Sequence, residues 1–290
     1  MEFGITSFLT DYGIGAPALA HAVEERGFAA LFLTEHTHIP ASRRTPWPGG
    51  GDLPRAYSHT LDPYVALGAM ATVTDHIVLG TAVTLINQHH PITLAKQVAS
   101  VERLAPGRIE IGVGPGWNVE EMAHHGIDPR RRTAQMLERI EALHAIWTQE
   151  EAEYHGEFVD FAPIWSWPKP SIVPPVLIGG GGPTVLDRVL SHGDGWMPLR
   201  IGLAQFDAFA DRVADLRERA AAAGRGHVPV TIFGGVPEPE WIDGYEGAGA
   251  DRVLFTLADQ VSAGAAAATL DELDALATAT AHARRSSFPA

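Results

Sequence analysis

The chain has 290 residues, 46% of them hydrophobic, a net charge of −14 and no cysteine. The length suits one α/β domain with a large core. The acidic balance argues against a nucleic-acid ligand, which needs a basic surface, and the missing cysteines remove disulfides, thiolate catalysis and cysteine-bound metal clusters.

No apolar run is long enough to cross a bilayer, and the N-terminus lacks a basic stretch and enters a strand pattern at once. The expectation is a cytoplasmic protein without a signal peptide or a membrane partner. The only lysines, Lys96 and Lys169, fall in a predicted helix and a Pro/Trp-rich loop rather than at strand ends, which disfavours a Schiff-base aldolase.

Short apolar runs alternate with helical periods along the whole chain. Strands are predicted at 2–8, 29–34, 77–84, 108–113, 176–178, 195–199, 228–233 and 252–257. The first helix, 17–26, opens on Pro17 and stops at Gly27; Asp62 caps the second, which Pro63 begins. Further helices are expected from Pro91 to before Gly107, over 130–148, near Pro183, Leu203 and Pro237, and over 269–282, with the Ala-rich 265–268 as linker or helix. Eight strands, each followed by a helix, predict a single-domain (β/α)8 TIM barrel over 1–290 rather than an open doubly wound sheet.

Two segments exceed ordinary loop length, 37–60 after strand two and the aromatic-rich 149–175 before strand five. Both are candidates for a lid over the pocket, the second equally for a small hairpin packed on the outside.

On this fold chemistry sits at the carboxyl ends of the strands. Glu35 and His36 end strand two, where His36 can move a proton or where the two pair and fill the barrel mouth. His36 and His38, two apart on an extended chain, share a face and are spaced for a metal pair. The further ligands that a metal-dependent hydrolase needs are missing, and no metal site is assigned. Small residues from Gly80 to Thr84 leave room at the mouth or simply pack strand three.

Gly112 to Trp117 ends strand four with glycines that permit close backbone approach and a Trp that can wall a ring, or with a tight turn. Gly179 to Thr184 ends strand five and opens a helix, a place where backbone N–H groups hold phosphate, or a flexible turn. His89-His90 and His124-His125 read as helix-end and surface histidines, and Arg130 to Arg132 as a solvated helix start.

In this order the motifs resemble the luciferase-like oxidoreductase superfamily, closest to its coenzyme F420-dependent oxidoreductases. The stretches that carry the resemblance are LFLTEH at 31–36, LGTAVT at 79–84, HP at 90–91 with LAKQ at 94–97, LAPGR at 104–108, GVGPGWN at 112–118, WSWPKP at 165–170 and GDGW at 193–196.

The resemblance implies a deazaflavin ring over the ends of strands two to four. Glu35 and His36 would stand beside it, Thr81, Ala82, Val83 and Thr84 behind it with a non-prolyl cis peptide at Ala82-Val83, and Gly114, Pro115, Gly116 and Trp117 along its border. Gly180, Gly181 and Gly182 would take the phosphate. Sugar-phosphate dehydrogenases of the superfamily carry a proton-transferring Glu where this chain has Trp117, so that acid does not carry over and His36 is the candidate proton donor, with Glu35 beside it.

The resulting expectation is a hydride-transferring oxidoreductase that uses coenzyme F420, acts on a small molecule and forms a homodimer. An FMN-dependent monooxygenase is the alternative. A metal-dependent hydrolase and a cofactor-free barrel subunit are the remoter ones.

Overall fold

A computed structural model describes residues 1–258 and 264–286, with side chains up to 281. Residues 259–263 and 287–290 of the expected 1–290 domain, and the side chain of His282, lie outside this description. The barrel strands are β1 (Glu2–Ser7), β2 (Ala30–Leu33), β3 (Val78–Leu85), β4 (Ile109–Gly114), β7 (Val176–Gly179), β8 (Gly195–Met197), β9 (Thr231–Gly235) and β10 (Arg252–Thr256). Between β4 and β7 lies an antiparallel pair, β5 (Ala152–His155) and β6 (Asp160–Ile164).

The eight barrel strands run parallel in the order β8-β7-β4-β3-β2-β1-β10-β9. Parallel bridges from Trp196 to Val230 and from Leu199 to Phe233 join the two ends. The (β/α)8 barrel predicted from the strand count is therefore present. Only the strand predicted at 228–233 is displaced, to Thr231–Gly235.

Inward positions alternate large with minimal residues, which lets the barrel close around a packed centre. A Cβ on Gly80 would stand 2.6 Å from the Phe32 ring, one on Gly4 2.7 Å from Leu254, and one on Gly195 2.6 Å from Leu177. Phe32, Leu254, Leu177, Met197, Ala30 and Ala82 form this interior cluster. Below it Arg252 of β10 reaches across to Glu110 of β4 at 2.7 Å. The outward faces of the strands pack under α1 (Ala16–Glu25), α2 (Pro63–Ala71), α3 (Pro91–Leu104), α5 (Arg132–Thr148), α6 (Val185–His192), α7 (Phe206–Ala222), α8 (Pro239–Gly247) and α9 (Ala265–Ser286).

The helix punctuation matches its residues. Asp62 accepts the Val65 N–H at 2.9 Å, and Gly27 takes φ 70° after α1. The 265–268 stretch is the first turn of α9. Near Pro183 the helix starts two residues later, at Val185, because Pro183-Thr184 forms a turn before it.

The second insertion is a hairpin on the outside of the barrel, and its reading as a lid is corrected. The Glu138 carboxylate of α5 accepts the N–H groups of Glu157, Phe158 and Val159 at 3.1, 2.7 and 3.2 Å, and Tyr154 bonds Glu141 of the same helix. The hairpin's backbone donors are thus satisfied by α5, and none of residues 149–175 lines the cavity at the strand ends.

Candidate functional site

A cavity of about 480 Å³ opens at the carboxyl ends of the strands. Val83 forms its floor. The Val83 side chain stands where Gly114 and Gly179 have no Cβ, since a Cβ would fall 2.7 and 3.2 Å from the Val83 methyls. The Ala82-Val83 peptide is cis, and the pairing of β3 with β4 shifts register between Thr81 and Thr84. Ala82 and Val83 line the cavity, whereas Thr81 and Thr84 stand behind it, fully buried. Thr84 donates to Thr81 at 2.9 Å, Thr81 to the Gly112 carbonyl at 3.0 Å, and Tyr64 meets Thr84 at 2.6 Å. This chain of hydroxyls ties β3 to β4 and to α2, and burial pushes the Tyr64 phenol far above its ordinary range.

His36 enters the cavity with its ring held from both sides. Its Nδ1 lies 3.0 Å from both oxygens of Glu121, while the Trp117 indole N–H points at its Nε2 from 3.4 Å. An indole nitrogen only donates, so Nε2 accepts and the ring proton belongs on Nδ1, given to the carboxylate. The pair is buried, with 6% and 1% of the two side chains exposed. The imidazole lines the cavity with Nε2 held only by the long indole contact and Nδ1 oriented by the Glu121 carboxylate. A histidine oriented by a carboxylate is the kind of pair that can move a proton.

Glu35 has a different setting. One oxygen accepts the Leu85 N–H at 2.6 Å and the other meets His89 Nε2 at 2.8 Å, so neither is left for chemistry. Glu35 fastens the end of β2 to the end of β3. His89 is accordingly no surface histidine; its side chain is 12% exposed. Burial opposes its charge, but the hydrogen bond and charge of Glu35 outweigh burial and hold its pKa above the ordinary value.

The shared face that the spacing of His36 and His38 offered for a metal pair does not form. The strand ends at Leu33, so the two-residue period no longer operates at 36–38. His36 turns inward to Glu121, and His38 turns outward to His124, 2.8 Å away. Among the described residues no group of three or more His, Asp or Glu gathers as metal ligands.

Gly114, Pro115, Gly116, Trp117 and Gly180 line the cavity, with Gly116 at φ 87° and Gly180 at φ 110°. Gly181 and Gly182 do not. They are exposed at the rim, and their carbonyls accept the Arg212 guanidinium at 2.9 and 3.1 Å. The Gly180 N–H is given to Met197, which leaves the N–H groups of Gly181 and Gly182 without a recorded acceptor among the described residues.

The first insertion covers the cavity. Tyr57 stacks on Phe8 at 4.6 Å and stands 5.2 Å from His36, with Trp47 behind it. Glu120, next to Glu121 on the short helix α4 (Val119–His124), holds this lid. It bonds the Thr45 hydroxyl, accepts the Thr45 N–H at 3.2 Å and pairs with Arg44 at 3.2 Å. Thr34 lines the cavity, and its buried hydroxyl has no hydrogen-bond partner among the described residues. A planar ring with polar edges fits such a space: a flat apolar floor, glycine borders and one waiting hydroxyl.

The model of the luciferase-like monooxygenase family matches residues 15–237. The chain belongs to that family. An uncharacterized protein of Mycobacterium tuberculosis is 42% identical over 283 residues, 95% of this chain and 98% of its own length. An F420-dependent glucose-6-phosphate dehydrogenase of Nakamurella multipartita is 30% identical over 204 residues, 68% of this chain and 56% of its own.

Two solved luciferase-like neighbours share the fold. An F420-dependent secondary alcohol dehydrogenase with an F420-acetone adduct has a TM-score of 0.71 at 16% identity, covering 88% of this chain and 92% of that one. A type II Baeyer–Villiger monooxygenase of Pseudomonas putida with FMN has a TM-score of 0.63 at 18% identity, covering 81% and 67%. Proteins similar to this chain thus include one named as an F420-dependent dehydrogenase, and the fold is shared with an F420-dependent and an FMN-bound enzyme.

The sequence reading missed Glu121 as a site residue and did not single out Thr34, Trp47 or Tyr57. A signal for Glu121 existed. Asn118 and Glu121 have the spacing of a helix cap, and Asn118 does accept the Glu121 N–H at 3.2 Å. In α4 the carboxylate is free of the cap and turns to His36 instead.

Proposed function

We propose that this protein is a coenzyme F420-dependent oxidoreductase of the luciferase-like family that moves a hydride to or from a small organic substrate. When bound, the deazaflavin supplies the hydride acceptor or donor that no side chain can be. The observation that carries this reading is the His36–Glu121 pair opening onto an apolar cavity.

With the substrate hydroxyl taking the place of the Trp117 indole, His36 Nε2 takes the hydroxyl proton of an alcohol as its carbon gives up hydride, or returns that proton in the reverse direction. The carboxylate of Glu121 keeps the ring in the tautomer that can do so. Val83, Gly114 and Trp117 hold a flat ring against the floor, Thr34 bonds its edge, and Tyr57 with Trp47 excludes water. Glu35, with Thr81 and Thr84, positions the floor rather than touching the reacting atoms. The N–H groups of Gly181 and Gly182 take a phosphate at the rim, with Arg212 steadying the loop from its carbonyl side. A homodimer acting in the cytoplasm completes this reading. Sedimentation velocity tests the dimer, and the cysteine-free composition suits the compartment.

The 30% identity to a relative named F420-dependent favours the deazaflavin. An FMN-bound neighbour of the same fold keeps flavin as the second reading. Titrating the purified protein with F420 and with FMN, followed by fluorescence, decides between them. F420 binding with no FMN binding is expected, and the opposite result overturns the proposal. Gly181→Val tests the phosphate position, since a Cβ there meets only open space. Gly180→Val would not, because φ 110° already excludes a side chain.

A further inference from the structure

A second cavity of about 350 Å³ adjoins the first over the ends of β9 and β10. Phe8, Trp47, Tyr57, Leu199 and Phe233 wall both, so the two form one cleft across the barrel mouth. If the first part holds the cofactor ring beside His36, the second is the space left for the substrate's body. Its wall is mainly aromatic and aliphatic, with Thr256 and one charged residue, Arg200.

Arg200 follows β8, and its Nε donates to the Gly234 carbonyl at 3.0 Å. Gly234 has φ 77°, and its carbonyl anchors the stem of the guanidinium. Among the described residues no carboxylate lies within salt-bridge distance of Arg200. Some arginines elsewhere pair with a carboxylate, Arg44 with Glu120, Arg131 with Glu157, Arg219 with Asp187 and Arg252 with Glu110, while Arg212 and Arg225, like Arg200, are tethered to backbone carbonyls. What sets Arg200 apart is its place: it is exposed at the lining of an apolar cavity, and among the described residues its terminal amino groups have no partner, so they are available to an anion there. Its fork matches a carboxylate.

We infer that the substrate is an apolar or aromatic molecule carrying a carboxylate, which Arg200 binds while the reacting carbon sits near His36. This rests on the reading of the first cavity as the catalytic site. The selectivity itself is measurable without any cofactor.

The probes are 4-phenylbutyrate and its neutral amide, 4-phenylbutanamide, titrated against the tryptophan fluorescence of the full chain. The wild type is expected to bind the carboxylate about tenfold more tightly than the amide, the size of one charge-assisted contact. Arg200→Gln should lose the preference while keeping its affinity for the amide, and Arg200→Lys should retain part of it. Circular dichroism checks that the variants are folded. Equal affinities in the wild type, or a preference that survives Arg200→Gln, overturn the proposal. F420 affinity should be unaltered in Arg200→Gln. A fall there with the carboxylate preference intact would assign Arg200 to the cofactor's own anionic chain and overturn it equally. Failure of F420 to bind, with the carboxylate preference present, would refute the cofactor reading and leave this one standing.

Discussion

Glu121 holds His36 across 85 positions of sequence, with both carboxylate oxygens 3.0 Å from Nδ1. Its neighbour Glu120 faces the other way and holds Thr45 and Arg44 of the lid. One short helix therefore anchors both His36, the proposed proton-transfer residue, and the cover over it.

Glu121→Gln keeps the shape of the side chain but removes its charge and replaces one of the two oxygens facing His36 Nδ1 by a donor. Under the proposed function kcat should fall about 10²-fold, with F420 affinity and KM nearly constant, and Glu121→Asp should recover part of the loss. An unchanged kcat, or a loss confined to cofactor binding, would show that Glu121 only packs.

The cavity floor depends on one methyl-sized absence. Gly114→Ala puts a Cβ 2.7 Å from Val83, and overpacking of this kind costs about 1–3 kcal/mol. Cofactor binding should weaken with it. Adding Val83→Ala should restore stability, so a double-mutant cycle by thermal melting reads the contact directly. Strictly additive effects would refute the jigsaw.

Thr45→Val removes the hydroxyl and leaves the backbone bond to Glu120. The lid should loosen, raising KM severalfold with little change in melting temperature or in F420 affinity. A fall in kcat alone would mean that the lid does not gate the substrate.

The Glu35–His89 pair gives stability a pH dependence. His89 has a folded pKa above its unfolded value. The contribution of the charged pair is therefore whole below about pH 6.5 and is lost as pH rises through the higher folded pKa. Melting temperature should decline over that interval, and His89→Gln should flatten the decline. Parallel curves for the two proteins would place the dependence elsewhere.

Tyr57 and Trp165 illustrate the limits of reading the chain unaided. Both lie in insertions rich in aromatics. Tyr57 closes the cavity, while Trp165 is 75% exposed and lines none of it. Loop length and composition are local properties. Which side of the barrel a loop folds onto depends on partners such as Glu138 for the hairpin and Glu120 for the lid.

Sequence by itself determined the barrel, because strand and helix periods, caps and glycine turns are set by neighbours within a few residues. It also marked four loaded strand ends, since glycines and a histidine at those places follow from backbone geometry. Tertiary structure alone decided what those residues do. Glu35 became a fastening between two strands, His36 gained Glu121, Thr81 and Thr84 turned behind the floor, and Gly181 and Gly182 moved to the rim. Each outcome rests on contacts between residues far apart in sequence, such as His36 with Glu121 and Glu35 with His89, and hydrogen-bond geometry at that range exists only once the barrel has closed.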